Sequence, residues 1–384
     1  MPPNLAILMI SPQFSPLVGG YERAAERLSA ELGRQGHEVT VVAERRDVAW
    51  PAAERRPAYS ILRLWCIYRP GWHILTALLS LSWFLLTRGH RYQIIHVHQY
   101  GYHAAVAIAY GKMVRKPTIF KTTSTGAEGI SKALMDLGLT GRFVAALNKR
   151  VDACVATTST AQEEAAQFGV PRAKIVVLPN GLDVQYFSPC SASEKQSIRD
   201  RLHIKKPKLV LFCGRLSPEK NPEGLIQAWR TVHEENPDAE LALIGEGPLE
   251  ERVRLLARAP ELDGTVSVVG AQEEVLPWYQ AADLFVLPSH HEGLSNSLLE
   301  AMSCQLPVVS TRVSGSSEIL SRTDAGVLVD VDDMAALAKA IGQMLRDPVR
   351  SKYCGENGRT FVREGFSIET VATATVSLYQ RLLC

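Results

Sequence analysis

Little in this 384-residue sequence marks it for export, for crosslinking or for insertion into a membrane. Its seven cysteines, Cys66, Cys154, Cys190, Cys213, Cys304, Cys354 and Cys384, are odd in number and scattered, with no CxxC pair and no histidines at zinc-module spacing. That pattern excludes a disulfide scaffold and fits a reducing compartment. The apolar run at residues 5–10, LAILMI, is shorter than the core of a secretory signal and has no basic residue before it. A cytoplasmic location is expected. The most apolar stretch, residues 74–86 (ILTALLSLSWFLL), would cover roughly 20 Å as a helix, against about 30 Å of bilayer hydrocarbon. It is too short to span. It reads either as a buried helix or as one lying in a membrane interface, with Trp72 and Trp83 at headgroup depth.

Net charge is also small, at +2, but unevenly spread. Residues 1–185 carry 21 Lys and Arg against 13 Asp and Glu, a net of +8, and residues 186–384 carry 21 against 27, a net of −6. A basic first half suits an anionic partner, and an anionic membrane surface at the inner face fits better than nucleic acid, because no basic-aromatic binding motif accompanies the charge. An uneven, fully solvated surface explains the same count.

What the chain does have is alternation. Strand-like apolar runs at 5–10, 39–43, 94–97, 118–121, 153–156 and 175–177 are separated by helix-like segments such as 21–34 and 160–168. The pattern restarts at 209–213 and continues through 241–244, 266–269, 284–287 and 308–310. Buried parallel strands covered by helices on both faces are written this way, so the class is α/β, with doubly wound sheets. The length suits two domains, 1–185 and 186–367, and the polar, turn-rich stretch at 179–195 is the expected linker.

Four segments carry candidate chemistry. Residues 214–221, GRLSPEKN, follow the first strand of the second half, where Arg215 offers a planar fork and Lys220 a point charge, a pair suited to a diphosphate. Residues 290–300, HHEGLSNSLLE, follow a strand and run into a helix capped by Ser295 or Asn296. Backbone N–H groups of Gly293, Leu294 and Ser295 would there face an anion, while the carboxylates of Glu292 and Glu300 suit sugar or ribose hydroxyls. Gly19 and Gly20, between the first strand and first helix, permit close approach of a ligand to the backbone, or form a plain turn. A dinucleotide dehydrogenase would need GxGxxG there; the nearest imitation, GEGPLE at 245–250, lacks the third glycine. The fourth segment, HVHQYGYH at 96–103, places His96 and His98 on one side of a strand. Those histidines read as core groups, as contacts to substrate or, without a carboxylate or cysteine at ligand spacing, least well as metal ligands.

In this order the four segments resemble the family-4 class of retaining glycosyltransferases, which have the GT-B fold of two Rossmann-like doubly wound domains around a cleft. The likeness runs from Gly19-Gly20 to Phe366-Ser367; Glu292 and Glu300 match the family's EX7E signature, Arg215 and Lys220 its GRL-x-x-E-K segment, His96 and His98 its HxH strand end. The resemblance implies transfer of a hexose-type sugar from a nucleotide diphosphate donor, UDP-linked in preference to GDP-linked, to an acceptor that is lipid-linked or a glycan precursor. By that likeness Arg215 and Lys220 neutralise the diphosphate and Glu300 holds the ribose. Glu292 and the nearby backbone hold the donor sugar, His98 contacts the sugar and helps stabilise the transition state, and Gly19-Gly20 lie near phosphate or acceptor. A C-terminal helix at about 368–384 would pack back on the first domain. No metal and no other cofactor is expected, because two cations serve the leaving group and no DxD motif is placed to do so. An epimerase or phosphorylase of the same fold, or a non-catalytic nucleotide-sugar-binding protein, are the alternatives. Against the family pattern, residues 314–318 read SGSSE where many relatives carry a Gly-Gly before the glutamate.

Overall fold

A computed structural model describes residues 4–16, 20–122, 138–262 and 264–384. Among these the chain forms two compact units, one of Met1–Gly181 with Ile368–Cys384 and one of Leu182–Ser367. The first unit thus ends before the predicted 185. Leu182 N–H donates to Phe366 O at 2.8 Å, and the side chains of Leu182, Val184 and Phe187 sit in the second unit's core.

Unit 1 holds eight described strands: β1 Ala6–Ile10, β2 Glu38–Arg45, β3 Ala53–Arg55, β4 Ser60–Trp65, β5 Ile94–Val97, β6 Thr118–Lys121, β7 Ala153–Ala156 and β8 Ile175–Val177. They lie in the order β3-β4-β2-β1-β5-β6-β7-β8, parallel except for the β3–β4 pair. Unit 2 holds β9 Lys208–Cys213, β10 Ala239–Ile244, β11 Val266–Gly270, β12 Leu284–Leu287, β13 Val308–Thr311 and β14 Gly326–Val329, all parallel, in the order β11-β10-β9-β12-β13-β14. The architecture is the expected α/β one. Three strands escaped the sequence pattern. In β4 the run SILRLW mixes polar and apolar residues because one face is only partly covered, β3 is three residues of which two are charged, and β14, GVLV, is short and mostly half-buried.

The period-2 alternation of the strands feeds two cores. In unit 1, Leu8, Ile10, Ile95, Val97 and Phe120 face one way with Leu81 and Phe84, while Ile7, Met9, Ile94, Ile119 and Val155 face the other. The second face is closed by the helix Gly20–Arg34 and by the last helix, Ile368–Leu383, whose Ile368, Ala372, Val376 and Tyr379 enter that core. Helix ends are capped by sequence. Thr158 accepts from Ala161 N–H, Ser191 and Glu194 form a reciprocal capping box, and Gly169 closes its helix at φ 102°.

The segment at 74–86 is helical, within His73–Arg88, but not wholly buried. Thr76, Ala77, Leu81, Phe84 and Leu85 pack inward. Trp72, Leu75, Leu79, Trp83 and Leu86 are exposed, Trp83 to 71%. Neither this helix nor any other among the described residues is long and apolar enough to cross a membrane.

One polar contact ties the last helix to the sheet beneath it. The buried Tyr379 hydroxyl meets His96 Nδ1 at 2.6 Å. Tyr379→Phe should leave that imidazole nitrogen without a partner and lower unfolding free energy by about 1–3 kcal/mol. Urea unfolding checks it, and an unchanged midpoint would show that the contact contributes nothing.

Candidate functional site

In a sheet wound both ways, the loops of the two strands where the winding reverses diverge and leave a crevice at their carboxyl ends. In unit 2 those strands are β9 and β12, and in unit 1 they are β1 and β5. Segments 96–103, 214–221 and 290–300 lie at the ends of β5, β9 and β12.

The loop after β9 is held by backbone on both sides of Arg215. Gly214 N–H donates to Ile244 O and Leu216 N–H to Glu246 O, each at 2.9 Å, and the Leu216 side chain is buried, so Arg215 is left exposed. This close packing depends on the glycines of the 245–247 turn. A Cβ on Gly245, at φ 137°, would fall 1.9 Å from Gly214 O, and one on Gly247 would fall 2.4 Å from Leu216 O. The broken GxGxxG imitation is therefore the bed on which the Arg215 loop lies. A short turn, Pro218–Lys220, then leads to Asn221, which at φ 51° accepts from Gly224 N–H at 3.1 Å and starts the helix Pro222–Glu235.

The loop after β12 meets the first one directly. His290 N–H donates to Glu219 O at 2.8 Å, and Lys220 Nζ donates to the carboxylate of Glu292, both side chains largely buried. Ser289 Oγ donates to the same Glu292 oxygen at 3.1 Å. Lys220 and Glu292, which the resemblance assigns to phosphate and to sugar, are thus partners of each other. An ammonium has three donors, so binding Glu292 leaves Lys220 able to reach an anion as well. Ser295, not Asn296, caps the helix Asn296–Ser303. Glu300 lies buried within that helix, where its Oε2 accepts from Tyr279 OH at 3.1 Å.

Residues 314–318 prove to support the same loop. Ser314 Oγ donates to Glu292 O at 2.5 Å, and a Cβ on Gly315 would stand 1.6 Å from Gly293 O. One glycine therefore suffices for the close approach. The acidic turn after β14 also arrives here, with Asp332 Oδ1 2.8 Å from His290 Nε2, while Asp330 pairs with Arg312 at 3.1 Å.

In unit 1, Gly19 lies outside the described residues and Gly20 is the first residue of its helix. His98 follows β5, its N–H donating to Ile10 O at 2.8 Å, so it stands beside the end of β1. Its ring is 1% exposed and stacks on His96 at 4.6 Å. Burial, with the charge of Lys121 added, lowers His96 to about 3. Burial, His96 and Lys121 together push His98 well below its ordinary range. Both rings are neutral at pH 7. Their Nε2 atoms are buried without a hydrogen-bond partner. His103 is elsewhere engaged, with Nε2 3.2 Å from Glu44 Oε1.

One group among the described residues, Glu44, Cys66 and His73, brings metal-type ligand atoms within 4.8 Å of one another. Its carboxylate is already occupied, by His73 Nε2 and by Arg46, each at 2.9 Å. Burial opposes ionisation of Glu44, but the contacts with His103 and His73 and the charge of Arg46 outweigh it and hold the carboxyl at about 2. We read it as an ion-pair network.

Comparison with known proteins agrees with this geometry. The Glycosyltransferase Family 4 profile matches residues 18–186, and the profile described as Glycosyl transferases group 1 matches residues 194–361. A Corynebacterium glutamicum protein named GDP-mannose-dependent monoacylated alpha-(1-6)-phosphatidylinositol monomannoside mannosyltransferase is 30% identical over 213 residues, covering 53% of this chain and 55% of that one. The match thus spans about half of that relative. A Mycobacterium tuberculosis glycogen synthase is 26% identical over 98% of this chain and 94% of its own. Among solved structures, Anabaena HepE in complex with UDP superposes with a TM-score of 0.80 at 18% identity, over 98% of this chain and 100% of that one. Sucrose-phosphate synthase from Thermosynechococcus elongatus does so with 0.80 at 24%, over 98% of each. These likenesses establish the fold as GT-B.

Gly315→Ala should push the 292–294 backbone away from its seat without touching any charged group. Nucleoside diphosphate affinity should fall roughly tenfold, equivalent to about 1.4 kcal/mol. Calorimetry on a variant that keeps its far-UV spectrum checks this, and unchanged affinity would remove the loop from the binding site.

Proposed function

The chain belongs to the family-4, group 1 glycosyltransferases, and from that premise we propose that it transfers a hexose-type sugar from a UDP-linked donor to a lipid-linked acceptor at a membrane surface, with retention of configuration and without a metal. The observation that carries the donor half is the meeting of the β9 and β12 loops at the winding reversal of unit 2, locked by the Lys220–Glu292 ion pair. Breaking the glycosidic bond leaves an oxocarbenium-like sugar and a departing diphosphate. Charge develops on the phosphate oxygens as the bond lengthens, and fixed cations there lower the barrier. Arg215 supplies a two-pronged donor in solvent. Lys220 supplies a point charge whose position Glu292 fixes. With two cations on the leaving group, a divalent ion has no necessary task. Glu300, held by Tyr279 at the base of the crevice, takes the ribose hydroxyls.

The acceptor half rests on the helix His73–Arg88. Trp72, Leu75, Leu79, Trp83 and Leu86 recur at three- and four-residue intervals and form one exposed apolar stripe, extended by exposed Trp65 and Tyr68. A patch of this kind marks an interaction surface. The exposed Arg69, Arg88 and Arg91 beside it suit anionic headgroups, with indole rings at the interface. The chain would lie on the membrane and reach a lipid-linked substrate from there.

Titration with UDP, GDP and ADP, with and without EDTA, tests the donor assignment. EDTA-insensitive binding of UDP is expected, and binding of none of the three would sink the reading. Arg215→Ala/Lys220→Ala and Glu292→Ala should each fold and lose transfer by roughly two orders of magnitude or more, the scale of losing a transition-state charge partner. Near-normal transfer by either would remove the assigned roles.

The membrane assignment stands on a separate measurement. The protein should sediment at low salt with vesicles that contain anionic lipid and not with vesicles of zwitterionic lipid alone. Leu79→Glu/Trp83→Glu should sediment with neither. Wild-type protein left in the supernatant would refute the surface assignment while leaving donor binding intact.

A further inference from the structure

Lys121 ends β6, and its place in the sheet makes it unusual. Register pairs Val97 of β5 with Phe120 of β6, so His98 and Lys121 come next at the carboxyl edge, side by side. Ile119 faces the core closed by the last helix, and Lys121, two residues on, faces the same way, as do His96 and His98. On its other flank Lys121 pairs with Val155, and Thr122 is anchored by its N–H to Val155 O at 2.8 Å. The residue is 5% exposed.

Burying an ammonium without an anion costs several kcal/mol or is relieved by loss of the proton. Among the described residues Lys121 has no ion pair, and burial alone lowers it to about 8, so it is still largely charged at pH 7. Among the described residues no carboxylate offsets that cost. Next to it, His98 Nε2 and His96 Nε2 are also buried with no hydrogen-bond partner. One buried cation with no ion pair among the described residues and two buried imidazole nitrogens without hydrogen-bond partners stand together at the carboxyl edge of β5 and β6, immediately beside the winding reversal. Such a set lacks one thing, an oxyanion.

We propose that Lys121 and His98 form an oxyanion subsite on unit 1 that seats a phosphate or carboxylate carried by the acceptor. Lys121 supplies the charge and a neutral His98, with its proton on Nε2, supplies a directed donor. The ligand class is thereby narrowed to acceptors with an acidic group near the hydroxyl that receives the sugar. Assigning the anion to the acceptor rests on the transferase reading, whereas the subsite itself does not.

The test uses inorganic phosphate as the probe on the full chain, first saturated with UDP so that the unit 2 site is filled. Calorimetry should detect phosphate binding that UDP does not compete away. Lys121→Met should weaken it by at least about tenfold, while UDP affinity stays within about twofold. The same variant, freed of a buried charge, should melt no lower than wild type in the absence of ligand. Four results would overturn the proposal: no phosphate binding to wild type at tens of millimolar, binding that survives in Lys121→Met, binding abolished by UDP, or a melting temperature several degrees lower in the variant. Failure to bind UDP counts against the donor assignment instead, and phosphate binding by the protein then still decides the subsite.

Discussion

A parallel sheet built outward in both directions must reverse its winding once, and at that point the covering loops lean apart. Everything placed for chemistry in this chain depends on the two such reversals, β1/β5 and β9/β12. Neighbouring strands elsewhere send their loops to the same face of the sheet and fill the space above their own ends. At the reversal the backbone is short of cover, so polar groups can converge without being sealed under hydrophobic side chains. Arg215 and Lys220 come from one side of the unit 2 opening and Glu292 from the other, and the direct bond from His290 N–H to Glu219 O draws the two loops to a fixed spacing. A shift in strand order would scatter these residues even if every helix and strand survived.

Fold class was legible because burial on two faces leaves a strong mark on composition. Runs such as IIHV, LFVL and VVST are fully buried and could be little else. The strands β3, β4 and β14, at or next to a sheet edge, were not legible, because a strand covered on fewer sides need not be uniformly apolar. Motifs show the same division. Residues 214–221 and 290–300 stand out because several polar groups lie close in sequence after an apolar run. Lys121 does not stand out, since nothing in TIFK reveals that its terminal lysine will lie against His98. Gly315 and the 245–247 glycines were visible as departures from familiar patterns, yet their use depends on which carbonyl lies opposite, and that is a fact of tertiary packing.

The helix His73–Arg88 shows how composition can mislead in the other direction. Thirteen residues so uniformly apolar ordinarily imply burial, since the hydrophobic gain of covering them is large. Here the inner face is satisfied by Leu81, Phe84 and Leu85, and the outer face is equally apolar with nothing over it. A protein that only needed a stable core would place polar residues on that outer stripe. Retaining tryptophan and leucine there, with arginines alongside, costs solubility and suits a surface that meets a lipid interface.

Most of the buried charges described above are paired within the chain. Glu44 is buried and ionised, and the fold surrounds it with His73, His103 and Arg46. Lys220 is largely buried and has Glu292. Arg199 is mostly buried and has Asp283 at 2.5 Å. In each case the chain itself supplies the counter-charge, as the energetics of desolvation require. Lys121 differs from these three in having no ion pair among the described residues. A cation buried beside two imidazole nitrogens that lack hydrogen-bond partners, at the carboxyl edge of a sheet, is the arrangement that an oxyanion from outside would stabilise.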